Sequence, residues 1–217
     1  RMKGVIGTGS MNDPYMPLEE KYGLTRRALE VIDHHGFGVH VNTKSDLVLR
    51  DADLLLRINR VQATVAFSVS TADDSLSRKV EPGAPPTSAR LAALRALAGR
   101  GLPVGICMMP ILPFLEDTPE NITAIVELAV ANGASFIMSW FGMSMRDRQR
   151  EYFYTRLDHL FPGVRARYER AYGEGEHPFK GRFGQSLTEA ARPPAGAEQD
   201  PMWEVIRACL EKDPHAR

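Results

Sequence analysis

Hydroxyls, amides and a single lysine cluster immediately after apolar runs of the kind that make strands. Thr8, Gly9, Ser10, Asn12, Asp13 and Tyr15 follow the run 3–7, and Asn42, Thr43, Lys44 and Ser45 follow 37–41. Ser68, Ser70, Thr71 and Asp73 close the run 63–70, while Met109, Pro110 and Pro113 close 104–109. Ser139, Trp140 and Met143 follow the last strand candidate, 136–140. In a parallel α/β sheet, ligands bind at the carboxyl ends of the strands. One edge would therefore collect hydrogen-bonding groups, one amine and flat apolar surface. That set suits a small zwitterionic ligand with an aromatic ring better than a bare metal.

Each piece also has a plainer reading. Gly7-Thr8-Gly9-Ser10 resembles a phosphate-cradling loop but lacks the P-loop lysine and the full dinucleotide fingerprint. Lys44 could meet a carboxylate, form a Schiff base, or make a surface ion pair. Asp73-Asp74 reads as a helix N-terminus, and His34-His35 as a helix C-terminus, where each charge type is favoured. His40 is a lone strand residue, packed or exposed rather than metal-binding. Arginines at 146, 148, 150, 156, 165, 167 and 170 outnumber nearby acids and read as a solvated helical face. Without an aromatic platform, a nucleic-acid surface is the lesser alternative there. No Ser-His-Asp, zinc or EF-hand pattern is present.

These groups need a scaffold, and the chain alternates strand-like and amphipathic helical runs as far as residue 140. Helices are predicted over 24–35, with Gly36 as a stop, over 48–58, and over 87–98. Thr118 can cap a further helix, Pro119 suits its first turn, and Gly133 lies just past its end. Five βα units in a row predict a parallel sheet, doubly wound or barrel-like. From Met145 the pattern changes: 145–160 and 164–172 read as helices, 173–200 as a Gly- and Pro-rich loop, and 202–211 as a short helix. The expected division is this βα sheet over 1–144 and a helical extension over 145–217, packed on the same domain.

Composition narrows the class. Of 217 residues, 43% are hydrophobic and 25% charged, so a disordered chain is excluded. Lys+Arg and Asp+Glu both number 27, so no global charge advertises a polyanionic partner. No run of 18 apolar residues predicts a membrane span. The start Arg-Met-Lys-Gly is not a signal peptide, and its first residue suggests a piece of a longer chain. Two cysteines, Cys107 and Cys209, are too few for a disulfide framework, so a reduced cytoplasmic setting is expected.

Taken in order, the strand-end stretches resemble a known family. They are Gly7-Thr8 with Asn12-Asp13-Pro14-Tyr15-Met16-Pro17-Leu18-Glu19, then Asn42-Thr43-Lys44-Ser45-Asp46-Leu47-Val48-Leu49-Arg50-Asp51. Phe67-Ser68-Val69-Ser70 follows, then Ser77-Arg78-Lys79-Val80-Glu81-Pro82-Gly83-Ala84-Pro85 and Met109-Pro110-Ile111-Leu112-Pro113. The ordered set, covering about residues 3 to 140, is similar to the radical S-adenosylmethionine (SAM) enzymes of the spore photoproduct lyase, or DNA-photolyase-like, group. The resemblance implies a partial parallel (βα) barrel with five of six βα units, and SAM across its strand carboxyl edge. By that analogy Lys44, with Ser45 beside it, and Ser68 or Ser70 contact the methionine end and the ribose. Arg78 orders the loop or the carboxylate, and Met109 and Pro110 border the adenine. Thr8, Asn12, Asp13 and Tyr15 lie near SAM or the substrate. DNA is the implied substrate class, and radical lyase chemistry in DNA repair the implied activity.

The departure from that family lies in the cysteines. Its Cys-x-x-x-Cys-x-x-Cys loop has no counterpart here, and Cys107 and Cys209 stand about a hundred residues apart. A [4Fe–4S] cluster is expected only in a longer form, with the first βα unit upstream of Arg1 and the 217-residue chain itself inactive. The strand edge so exposed invites self-association. Two alternatives stand beside this reading: a barrel aldolase with Lys44 as Schiff base, and a cluster-less SAM-binding or structural protein.

Overall fold

The computed structural model describes residues 4–10, 12–141 and 149–172. Five strands form one sheet in sequence order: β1 (Val5–Thr8), β2 (Gly38–Thr43), β3 (Ala63–Ser68), β4 (Val104–Ile111) and β5 (Phe136–Phe141). The sheet is parallel and is not closed. The residues 202–211 and the whole 173–200 stretch expected as loop lie outside the described residues, as does the start of the helix expected from 145.

Helices α1 (Pro17–Tyr22) and α2 (Leu24–His35) connect β1 to β2. A 3-10 turn (Asp46–Asp51) leads into α3 (Ala52–Ile58) before β3, where the sequence predicts one helix over 48–58. Helices α4 (Asp74–Val80) and α5 (Thr87–Ala98) precede β4, and α6 (Pro119–Ala131) precedes β5. Two last helices follow, α7 (Gln149–Leu160) and α8 (Val164–Tyr172). This open parallel sheet with its surrounding helices is the partial (βα) barrel that the resemblance implies, with helices after it.

Local chemistry accounts for the ends. α2 stops at Gly36 in the left-handed conformation, φ 64°, with Phe37 N–H closing back on Ile32 carbonyl at 3.1 Å. Asp73 caps α4 by accepting the Ser75 N–H at 2.7 Å, as the Asp73-Asp74 pair predicts. Thr118 Oγ1 accepts the Asn121 N–H at 3.2 Å at the start of α6. α1 escapes periodicity because six residues are too short to show it.

The chain divides into two compact units. The first takes Arg1–Met108 and Ala124–Met138. Its core is apolar on one sheet face, where Val39, Val41, Ala63, Val65, Phe67, Val104 and Ile106 come into register and are all fully buried. Leu54, Leu55 and Ile58 of α3 and Leu94 and Leu97 of α5 supply buried helix faces. β1, at one end of the strand order, differs: Val5 and Ile6 are 45% and 39% exposed. The second unit takes Met109–Thr123 and the described part of Ser139–Arg217. Its core is aromatic, with Tyr154, Leu157 and Tyr168 buried among Phe114, Phe153 and Phe161. Tyr168 Oη donates to the Pro113 carbonyl at 2.6 Å, and its ring meets Phe114 edge-on at 5.3 Å. No helix among the described residues is long and apolar enough to cross a membrane.

At the end of β1, Gly9 has φ +92°, and a Cβ there would lie 2.0 Å from the Asn42 carbonyl oxygen. Backbone meets backbone, so no side-chain rotation can relieve the contact. Gly9→Ala is therefore expected to cost at least ~2 kcal/mol through combined strain and overlap. Urea unfolding measures it, and an unchanged midpoint would contradict the close approach.

Candidate functional site

The parallel register brings the strand ends into line. Thr8 stands opposite Val41, Thr43 opposite Phe67, and Ser68 opposite Cys107. Asp13 joins the first two ends. Its carboxylate accepts Thr43 Oγ1 at 2.6 Å, Lys44 N–H at 2.7 Å and Tyr15 N–H at 2.9 Å. The Asn12–Tyr15 loop is thereby tied to the end of β2, and the backbone carrying Lys44 is held. Thr8 Oγ1 donates to the His40 carbonyl at 3.3 Å. Ser45 Oγ accepts the Leu47 N–H at 3.2 Å and opens the 3-10 turn. Asn12 is exposed.

Beside these residues lies an open cavity of about 760 Å³, within the size range of small-molecule sites. Asp13, Tyr15, Lys44 and Ser45 line it, together with Arg50 and the Gly83–Pro85 loop. Lys44 Nζ lies 3.3 Å from Glu81 Oε1. Ser68 Oγ donates to Asn42 Oδ1 at 3.2 Å, and both Ser68 and Ser70 are buried. Arg78 is 61% exposed and pairs with Asp74 on its own helix. Met109 and Pro110 are half-buried and belong to the second unit.

Two charged clusters escaped the sequence reading. In the first, the Glu19 carboxylate accepts the N–H groups of Thr25 and Arg26 at 2.8 and 3.3 Å, capping α2 from outside it. Arg50 Nη2 reaches Glu19 at 2.6 Å and Asp51 at 2.8 Å. Asp51 is fully buried and also takes Arg26 at 2.8 Å and the Tyr15 hydroxyl at 3.2 Å. Burial opposes ionisation of Glu19 and Asp51, but these donors outweigh it and hold both carboxyls below their ordinary range. Burial and the neighbouring Asp51 push the Tyr15 phenol up, so it stays a neutral donor. Adjacent Arg50-Asp51 carried no periodic signal, because a buried carboxylate is defined by partners distant in sequence.

The second cluster centres on Arg90, which is 1% exposed. Its Nε donates to Pro85 carbonyl, its Nη1 to Ser68 carbonyl, both at 2.7 Å, and its Nη2 to Glu81 Oε2 at 2.6 Å. A sequence signal did exist. Arg90 shares the face of α5 that buries Thr87, Leu91, Leu94 and Leu97, where a charge needs a partner.

Cluster-binding chemistry finds no support in these residues. Cys107 is fully buried, and burial pushes its thiol up to about 11. Among the described residues, no group of three or more His, Cys, Asp or Glu side chains is placed to hold a metal ion. His40 Nδ1 sits 2.7 Å from Thr64 Oγ1, and burial lowers its pKa. It is a packed strand histidine.

No family model matches the chain. An uncharacterized protein of Mycobacterium tuberculosis is 30% identical over 173 residues, which is 79% of this chain and 51% of that protein. An uncharacterized protein of Methanocaldococcus jannaschii is 34% identical over 116 residues, 54% of this chain and 44% of that protein. The chain thus spans about half the length of the curated relatives it matches. Among solved structures, a mutant spore photoproduct lyase with bound AdoMet and dinucleoside spore photoproduct superposes with a TM-score of 0.51. That match has 18% identity and covers 73% of this chain and 45% of the lyase chain. The fold is radical SAM-like. At this identity the likeness is one of fold alone.

The Glu19–Arg50–Asp51–Arg26 cluster yields a test. Both carboxyls are depressed from 4.5 and 3.8, so their contribution is complete above those values and is lost as pH falls through the lower native ones. Asp51→Asn leaves two guanidinium partners underpaired and is expected to cost about 3 kcal/mol at neutral pH. It should also flatten the loss of stability between pH 3.8 and the acid limit, read by chemical unfolding across pH. The exposed Arg57–Asp33 pair, by contrast, should be worth under about 1 kcal/mol.

Proposed function

We propose that this chain forms the AdoMet-holding part of a radical SAM-type barrel, with the ligand at the strand carboxyl edge. The observation that carries it is Lys44. Its backbone is anchored by Asp13 and its ammonium stands at a cavity large enough for a nucleoside-sized ligand, beside a carboxylate. An α-amino carboxylate needs one cation and one anion, and this edge supplies both. Lys44 binds the ligand's carboxylate, and Ser68 and Ser70 serve the ribose or methionine end. Thr8, Asn12, Asp13, Tyr15 and Ser45 shape the adjoining wall, and Arg78 orders its loop. When bound, AdoMet supplies a sulfonium whose C–S bond is the one opened in radical SAM chemistry.

The residues of this chain do not fit the iron–sulfur group, because two cysteines about a hundred residues apart cannot ligate a cluster in the family's manner. What these residues do is bind and orient. Damaged DNA enters as the candidate substrate class through the fold likeness to spore photoproduct lyase. The exposed Val5 and Ile6 of β1 support pairing of that edge with a second copy, which a concentration-dependent sedimentation coefficient would reveal.

Isothermal titration with AdoMet tests the proposal. The wild-type chain should bind it, and Lys44→Met should weaken binding by about tenfold or more, equivalent to ~1.4 kcal/mol. Lys44 is one-third exposed, so the variant should fold. Absence of binding by the folded wild type would end this reading. Borohydride trapping of a carbonyl compound on Lys44 would instead favour a Schiff-base enzyme.

A further inference from the structure

Glu81 has a geometry that an ordinary surface ion pair does not need. Its Oε2 is fixed by the buried Arg90 guanidinium at 2.6 Å, and Arg90 is itself locked by the carbonyls of Ser68 and Pro85. Its Oε1 has Lys44 Nζ as a neighbour at 3.3 Å. The two partners of Glu81 therefore differ in freedom. Arg90 is 1% exposed and held by three oxygens, whereas Lys44 is 33% exposed on a four-carbon stem. Glu81 is 19% exposed, so its carboxylate is largely withdrawn from water yet reachable.

Consider a carboxylate drawing Lys44 away. Glu81 Oε1 is then left without its ammonium partner in a mostly desolvated place, which is unfavourable. A ligand that carries its own ammonium next to its carboxylate removes that penalty by replacing the lost partner.

From this we infer that Lys44 and Glu81 are a self-paired zwitterion clamp, opened by an α-amino carboxylate, with Glu81 binding the ligand's ammonium. Arg90 is the positioning residue that keeps Glu81 in place. The clamp selects against ligands that lack the amino group, which Lys44 alone cannot do. The inference rests on the AdoMet reading above and adds a binding residue and a specificity to it.

The test compares three ligands by isothermal titration: AdoMet, its analogue with hydrogen in place of the α-amino group, and 5′-methylthioadenosine. The wild-type chain should prefer AdoMet to the deaminated analogue by about tenfold. Glu81→Gln, which keeps an oxygen for Arg90, should erase that preference and leave 5′-methylthioadenosine binding unchanged. A thermal melt confirms that the variant is folded; if it is not, the wild-type comparison of the two sulfonium ligands decides alone. Equal wild-type affinity for both, or a preference surviving in a folded Glu81→Gln, overturns the clamp while leaving the AdoMet reading intact. If the wild type binds none of the three, both fall together.

Discussion

The buried guanidinium of Arg90 is the constraint on which the carboxyl edge of the sheet depends. One side chain on α5 holds three separate things: the carbonyl that ends β3, the carbonyl of Pro85, and the carboxylate of Glu81. A charge this deep is tolerated only because every donor direction used meets an oxygen. Its energetic consequence is asymmetric. The network adds little net stability, since desolvating a guanidinium opposes the bonds gained, but losing any partner leaves an unpaired charge inside the protein. The loop from Glu81 to Pro85 is thus fixed, and with it the anion facing Lys44.

Asp13 performs the matching task from the other strand end. A short carboxylate at the centre of three donors, two of them backbone N–H groups, fastens the loop after β1 to the last residues of β2. Gly9 allows that loop to approach, because its missing Cβ is where the Asn42 carbonyl lies. The Glu19–Arg50–Asp51–Arg26 cluster extends the same logic outward by joining α1, α2 and the 3-10 turn. Parallel βα units leave their connecting loops at one edge with few apolar contacts. Charged hydrogen bonds do there what side-chain packing does in the sheet.

The aromatic core of the second unit is built differently. Phe114, Phe153, Tyr154 and Tyr168 meet at tilted or edge-on angles, and Arg165 and Arg167 lie over the rings of Tyr154 and Phe114 at 5.0 and 4.3 Å. Part of the arginine excess in 149–172 is therefore engaged with aromatic faces and with Asp158 and Glu169, rather than simply solvated.

What the sequence determined by itself is local and periodic. α2, α5 and α8 are legible to the residue, because apolar spacing, Gly36 and the short loops bound them. The strand candidates fall within two or three residues of the observed strands. Capping by Asp73 and Thr118 is also legible, since a cap acts over three residues. The polar strand-end row, including Lys44, follows from the parallel βα order alone. Tertiary structure decided which of those polar groups are free to meet a ligand. Asp13 and Tyr15 look alike as loop polars, yet one is a loop anchor and the other a buried donor to Asp51. The pairing of Lys44 with Glu81, 37 residues further along the chain, and of Glu81 with Arg90 depends on how two βα units bring their loops together. Charge pairing has no periodicity to read, because Coulomb interaction depends on distance in space and not on separation along the chain.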